Sequence, residues 1–175
     1  FNRRFDVADK TFSIIAQMLG DVEELAGNKV NWQMLYEKSL NHDYTERFIG
    51  DIKTPVKYAT PTLRHMLADV EATMTENFIK NEISRDFQDR YRRRLSEGKD
   101  ETLEGQILSV ADKIDLLYEG FGEIEKGNPE QVFLDIYSES LSTILQFRNR
   151  PSVRYFLEEV LPDMLDEKFA SRDQL

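Results

Sequence analysis

The amino-acid sequence predicts an all-α protein, a single compact domain over residues 1–175 built from about seven helices of the kind that pack around one core. Two observations predict it. Apolar residues recur every three or four positions through nearly the whole chain, which lays them along one face of successive helices. No stretch alternates apolar and polar residues between hairpin turns, and neither an internal repeat nor a low-complexity tract interrupts the pattern. A chain of 175 residues is also long enough to bury roughly two-thirds of its unfolded surface in one core.

In chain order, Phe5, Ala8, Phe12, Ile15, Leu19 and Val22 form the apolar face of a first helix that Gly27-Asn28 stops. Asn31 is suited to N-cap a short second helix with Trp32, Leu35 and Ser39 on one side, running toward His42. From Gly50 to Thr60 the chain reads as an ordered loop, and Thr60-Pro61 as a cap followed by proline at the first helical position. Leu63, Met66, Leu67, Val70, Met74 and Phe78 then predict an amphipathic helix ending near Asn81, its methionines and phenylalanines facing the core. Ser84 is expected to cap a segment carrying Phe87, Tyr91 and Leu95, closed by Gly98. Leu103 to Phe121 carries the stripe Ile107, Val110, Ala111, Ile114, Leu117 and Phe121. Asn128-Pro129 opens a helix through Phe133, Ile136, Tyr137, Leu141, Ile144 and Leu145. Pro151 begins the last, with Val153, Phe156, Leu157, Val160 and Leu161 inward and a kink expected at Pro162.

Composition narrows the function. With 23 basic and 33 acidic residues the net charge is −10, so the chain lacks the basic footprint that drives polynucleotide or anionic-membrane binding. The absence of cysteine excludes disulfides, thiolate zinc sites, iron–sulfur clusters and cysteine nucleophiles, and fits a cytoplasmic location. No apolar run approaches the ~18–20 residues that span a bilayer, and no signal-peptide pattern opens the sequence. His42 and His65 are the only histidines, so a metal site would have to lean on carboxylates.

The segment that stands out is His42-Asp43-Tyr44-Thr45-Glu46 followed by Gly50-Asp51-Ile52-Lys53-Thr54-Pro55-Val56-Lys57-Tyr58. Adjacent His and Asp at a helix end can aim an imidazole nitrogen and a carboxylate oxygen at one divalent ion, if a third group arrives from another helix. Glu46, one turn after His42, can reach a water beside such an ion. A solvated helix terminus is the plainer reading of the doublet alone. Downstream, Asp112 has Leu108 and Leu116 as its i−4 and i+4 neighbours, so its carboxylate must find a cation, a hydrogen bond or a raised pKa. Asp115 lies one turn further on and competes for the same role.

The whole string resembles the signature of the HD-domain phosphohydrolases, in particular their bacterial 5′-deoxynucleotidase (YfbR-like) branch, and Ser109-Val110-Ala111-Asp112-Lys113-Ile114-Asp115 resembles the later helix that supplies a distant Asp. The resemblance is strongest from His42 to Tyr58 and looser from Leu103 to Glu119. It implies that His42, Asp43 and Asp112 hold a divalent ion (Co, Mn, Mg, Zn or Ni), that Glu46 and Asp51 are the catalytic carboxylates, and that Lys53, Thr54 and Lys57 contact the substrate phosphate. It also implies a homodimer packed through helices.

One feature departs from the pattern. The family places a first His after a Val on the N-terminal helix, where this sequence reads Asp6-Val7-Ala8-Asp9-Lys10-Thr11-Phe12. Three readings stay open: a His from outside these residues, Asp9 or Asp6 as an oxygen ligand, or Lys10 with its ammonium in the ion's place.

His65 receives no role from the family pattern and reads as a surface residue. Arg90, Arg92, Arg93 and Arg94, interspersed with Asp86 and Asp89, read as a salt-bridged, solvated helix face rather than a phosphate site. The expected function is hydrolysis of (deoxy)nucleoside 5′-monophosphates to nucleoside and phosphate. The competing expectation is a non-catalytic nucleotide-binding regulator of the same fold that has lost one ligand.

Overall fold

The computed structural model describes residues 2–42, 44, 48, 50, 52, 54–57, 59–96, 98–127 and 130–165, with the side chains of 2–10, Thr54, Pro55 and Ser96 outside the description. Helix α1 (Asn2–Leu25) is followed by α2 (Trp32–Asn41), the short α3 (Thr54–Lys57) and the long α4 (Pro61–Glu82). A 3-10 turn (Arg85–Phe87) leads into α5 (Gln88–Ser96), and α6 (Leu103–Glu125), α7 (Gln131–Gln146) and α8 (Pro151–Tyr155) complete the set. No strand occurs among the described residues. The fold class is the one the periodicity predicts.

Helix α6 is the central shaft. It packs against α7, α1 and α2, and the predicted stripe from Ile107 to Phe121 is buried with Leu108 among it. Phe12, Ile15, Ala16 and Leu19 of α1 close the core from one side, Leu35 of α2 from another, and Ile144, Val153 and Phe156 from the C-terminal half. Gly120 lets α7 approach closely, because a Cβ there would sit 3.3 Å from the Phe133 carbonyl.

Polar contacts fix how these helices meet. Glu23 of α1 is fully buried, 0% exposed. Its Oε1 accepts from the Ser152 N–H at 3.1 Å and the Ser152 hydroxyl at 2.6 Å, and its Oε2 from the Asn28 amide at 2.6 Å. Arg150, the residue before α8, makes no side-chain cap bond, so the carboxylate of a distant helix caps this one and meets its positive end. At the start of α2, the predicted cap Asn31 accepts from the Met34 N–H at 3.1 Å while its own N–H donates to buried Glu104 of α6 at 2.7 Å.

Four expectations are corrected. The loop after Gly50 contains the single turn of α3. Helix α4 starts where Thr60-Pro61 predicts, with Thr60 accepting from the Leu63 N–H at 3.1 Å, but it buries only Ile79. Met66 is 60% exposed and Val70 43%, because among the described elements α4 packs mainly against the short α3 and the strongly polar α5 rather than the shaft. Ser84 makes no side-chain cap bond; a 3-10 turn intervenes before α5. The distortion expected at Pro162 falls one turn earlier, where Phe156–Val160 form a π-turn and the Leu161 N–H reaches back to the Phe156 carbonyl. Proline removes the next amide donor, and the wider turn accommodates the loss.

Glu23→Ala is expected to lower stability by about 3 kcal/mol, since it strands two buried donors of Ser152 and leaves a cavity. Chemical denaturation beside Glu23→Gln, which keeps one acceptor and should lose less, measures it.

Candidate functional site

His42 ends α2, where its ring is half-buried and stacked on Phe12 of α1, centroids 3.9 Å apart and planes 16° apart. Its Nδ1 lies 2.7 Å from the Ser39 carbonyl. A carbonyl only accepts, so this nitrogen carries a proton, and in a neutral ring the lone pair would then lie on Nε2, the usual way a backbone carbonyl orients a metal-binding imidazole. Just beyond, Tyr44 and Phe48 pack with Phe78 of α4, ring centroids 5.5–5.9 Å apart, which ties the start of the motif to that helix.

His42 borders a cleft of about 450 Å³ that also meets Glu71, Thr75 and Glu76 of α4 and Arg92 and Leu95 of α5. Arg92 clasps Glu76 through Nε at 2.9 Å and Nη2 at 3.0 Å, and Asp89 through Nη1 at 2.7 Å. The hydrogen bonds from Arg92, with that of Lys80, hold the Glu76 carboxyl below its ordinary pKa, and Glu76 first, then Asp89, raises that of Arg92. This wall therefore stays charged across the neutral range.

Asp112 is half-buried on α6 and has found a cation, as its apolar neighbours required: Lys99 Nζ stands 2.9 Å from its Oδ2, with Lys113 at 3.9 Å. Lys99 was not legible as a partner, because it sits in the turn between α5 and α6. Asp115 is also half-buried. Lys57 is half-buried at the end of α3, and Thr54 opens that turn. Asp43, Glu46, Asp51 and Lys53 lie outside the described residues. Residues 6–10 lie on α1, with their side chains outside the description. His65 is exposed, its Nδ1 2.7 Å from the Pro61 carbonyl, in keeping with a surface role.

Among the described residues no three imidazole, thiol or carboxylate groups gather as a metal set; two of the three expected ligands, His42 and Asp112, belong to those residues. Their chemistry fits a divalent ion: an imidazole with its proton fixed on the far nitrogen, and a carboxylate that already attracts positive charge.

The all-α fold and its likeness to known proteins define the class: an HD-domain phosphohydrolase, a hydrolase. Residues 4–164 match the family described as 5′-deoxynucleotidase YfbR-like, and the chain belongs to that family. It is 28% identical over 144 residues to a 5′-deoxynucleotidase of Vibrio parahaemolyticus serotype O3:K6, covering 81% of this chain and 72% of that one. A 5′-deoxynucleotidase of Vibrio atlanticus is 28% identical over 142 residues, with 79% and 71% covered. The crystal structure of an HD-domain phosphohydrolase from Listeria innocua superposes with a TM-score of 0.80 at 63% identity, covering 91% of this chain and 75% of that one. No helix among the described residues is long and apolar enough to cross a membrane.

The Lys99 ammonium must yield its place before a cation can use that oxygen of Asp112. Lys99→Ala should therefore bind Co²⁺ or Mn²⁺ roughly 1.5- to 5-fold more tightly, the scale of a part-exposed ion pair. Titration calorimetry of both proteins measures it, and weaker binding would show that Lys99 supports Asp112 rather than competing for it.

Proposed function

We propose that this protein hydrolyses (deoxy)nucleoside 5′-monophosphates, with a divalent ion held by His42, Asp43 and Asp112. The observation that carries the reading is the pinned imidazole of His42 at the end of α2, immediately before the Asp of the motif. A divalent ion there would polarise a phosphoryl oxygen and lower the pKa of water. Glu46 orients the attacking water and takes its proton. As the water oxygen bonds to phosphorus, the bond from phosphorus to the sugar O5′ breaks, and Asp51 either enters protonated and gives that proton to the leaving oxygen or contacts the sugar while solvent water protonates that oxygen. Lys53 and Lys57 neutralise the phosphate and the Thr54 hydroxyl hydrogen-bonds to it; the two lysines give the local positive charge that a −10 chain needs for an anionic substrate. The family relatives named for deoxynucleotides support the sugar preference, and the lack of cysteine supports a cytoplasmic location.

We also propose that residues 1–175 act as one domain and that two copies pair through α4. Its outward stripe of Met66 and Val70, beside half-exposed Leu63 and Leu67, supports a second copy as the partner. Light scattering should find a dimer for the wild type and a monomer for Met66→Lys/Val70→Lys.

Phosphate release from a deoxynucleoside 5′-monophosphate should require Co²⁺ or Mn²⁺ and stop with a chelator; undiminished turnover in excess EDTA would sink the reading. Asp112→Ala should lose bound metal and activity together, whereas Asp115→Ala should keep both. Glu46→Ala should slow the chemical step by about 100-fold or more while metal and substrate still bind. A wild type that binds nucleotide without turnover would restore the regulator.

A further inference from the structure

The arginines of α5 part company. Arg92 turns to Glu76 on α4 and helps wall the His42 cleft, whereas Arg90, Arg93 and Arg94 border a second cleft of about 500 Å³ between α5, α2 and the turn before α6. That cleft is a different place from the one His42 borders: the two share no lining residue.

Among the described residues the charges lining it do not balance: four cations face two carboxylates. Lys38, whose side chain is 11% exposed, gives its ammonium to Asp100 at 2.7 Å and to the Gly98 carbonyl at 3.4 Å. Arg94 pairs with Glu37 at 3.4 Å. Each of the two carboxylates thus has a cation of its own. Arg90 lies over the Phe87 ring, 5.9 Å from its centroid, and neither Arg90 nor Arg93 pairs with a carboxylate among the described residues. The expected solvated, salt-bridged face is thus salt-bridged at Arg92 and Arg94, while Arg90 and Arg93 are exposed to solvent without an ion pair among the described residues. Two exposed guanidiniums, three residues apart and so on one face of α5, edge a concavity of small-molecule size; Arg90 acts on Glu37 at longer range, and neither has a carboxylate at ion-pair distance among the described residues.

We propose that this cleft is an anion site, separate from the hydrolytic one, for a small molecule carrying two adjacent phosphates. Guanidinium forks match phosphate oxygens in pairs. Arg90 and Arg93 each take one phosphate, and the Thr102 hydroxyl and the apolar side of Met34 border whatever the phosphates carry. Lys38 and Arg94 hold the walls apart through their own carboxylates. A polynucleotide is disfavoured because the positive charge is confined to one cleft instead of running as a stripe.

The test uses inorganic pyrophosphate and a nucleoside diphosphate as probes, by titration calorimetry on the full chain in chelator and low salt. One site per chain is expected, weakening as salt rises. Arg90→Ala/Arg93→Ala should weaken it at least tenfold while leaving hydrolysis of a deoxynucleoside 5′-monophosphate unchanged. Lys57→Ala, altered at the proposed substrate site, should still bind pyrophosphate in the cleft. Glu37→Gln, which removes a competing carboxylate, should tighten binding severalfold and keeps the test decisive should the double variant fold poorly. Tighter binding of the nucleoside diphosphate would show that the cleft reads the nucleoside as well; equal binding would show that it reads the phosphates alone. No binding by the wild type at millimolar probe, or equal binding by the double variant, overturns the proposal. Because activity is read separately, a failed hydrolysis assay with an intact cleft would count against the proposed function alone.

Discussion

The structure depends on a buried carboxylate. Glu23 sits at the end of α1 with no exposure, and it serves the first-turn N–H and hydroxyl of Ser152 on a helix that begins far along the chain. A carboxylate in that position would be costly without partners, and its partners are the unsatisfied donors of a helix start. The pairing therefore fixes both sides: α8 gains a cap that its preceding residue does not supply, and α1 gains a defined register against it. Between them lies α6. Once α1 and α8 are pinned, Phe12, Leu19, Val153 and Phe156 have one place to go, around Ile107, Leu108 and Ala111.

The same constraint reaches the site. His42 lies flat on Phe12, so the position of α1 sets the plane of the imidazole, while the Ser39 carbonyl sets its tautomer. Glu104 does for α2 what Glu23 does for α8, accepting the Asn31 N–H so that the helix ending in His42 is anchored to the shaft that carries Asp112. Both buried glutamates thus spend their charge on helix beginnings. They make the angle between α2 and α6 a property of the core rather than of the motif.

Much of this was legible, and the reasons differ residue by residue. Phe12, Ile15 and Leu19, or Ile107 to Phe121, could be read because a helix packed on one side must repeat its apolar residues with the period of the backbone. The caps at Asn31 and Thr60 were legible because they act on their own helix. The stripe of α4 misled because periodicity reports an apolar face without saying what covers it; only Ile79 reaches the core. Thr102, which accepts from the Gly105 N–H at 3.1 Å, is a local cap that the spacing does not single out. Glu23–Ser152 and Lys99–Asp112 are contacts over long chain separations, between residue types that occur everywhere in so charged a sequence. His42 to Tyr58 could be read as a motif because its residue types are constrained by chemistry rather than by packing.

What remains is how an acidic chain handles anions. A uniform field of net charge −10 repels phosphate, yet local geometry can reverse it where cations outnumber carboxylates at short range. On α5 this happens through pairing: Glu76 and Asp89 absorb Arg92, Glu37 absorbs Arg94, and no carboxylate among the described residues pairs with Arg90 or Arg93. Burial would raise the Asp100 carboxyl, but the hydrogen bonds from Lys38 and Thr102 outweigh it and hold the group low, so that pair stays charged well into the acid range. Glu37 is held low as well, first by the Gln33 amide, then by Arg94 and by the charge of Arg90. The carboxylates therefore stay ionised at neutral pH, and with four cations (Lys38, Arg90, Arg93 and Arg94) against two carboxylates (Glu37 and Asp100) the described lining of that cleft remains positive, a sign that does not depend on titration.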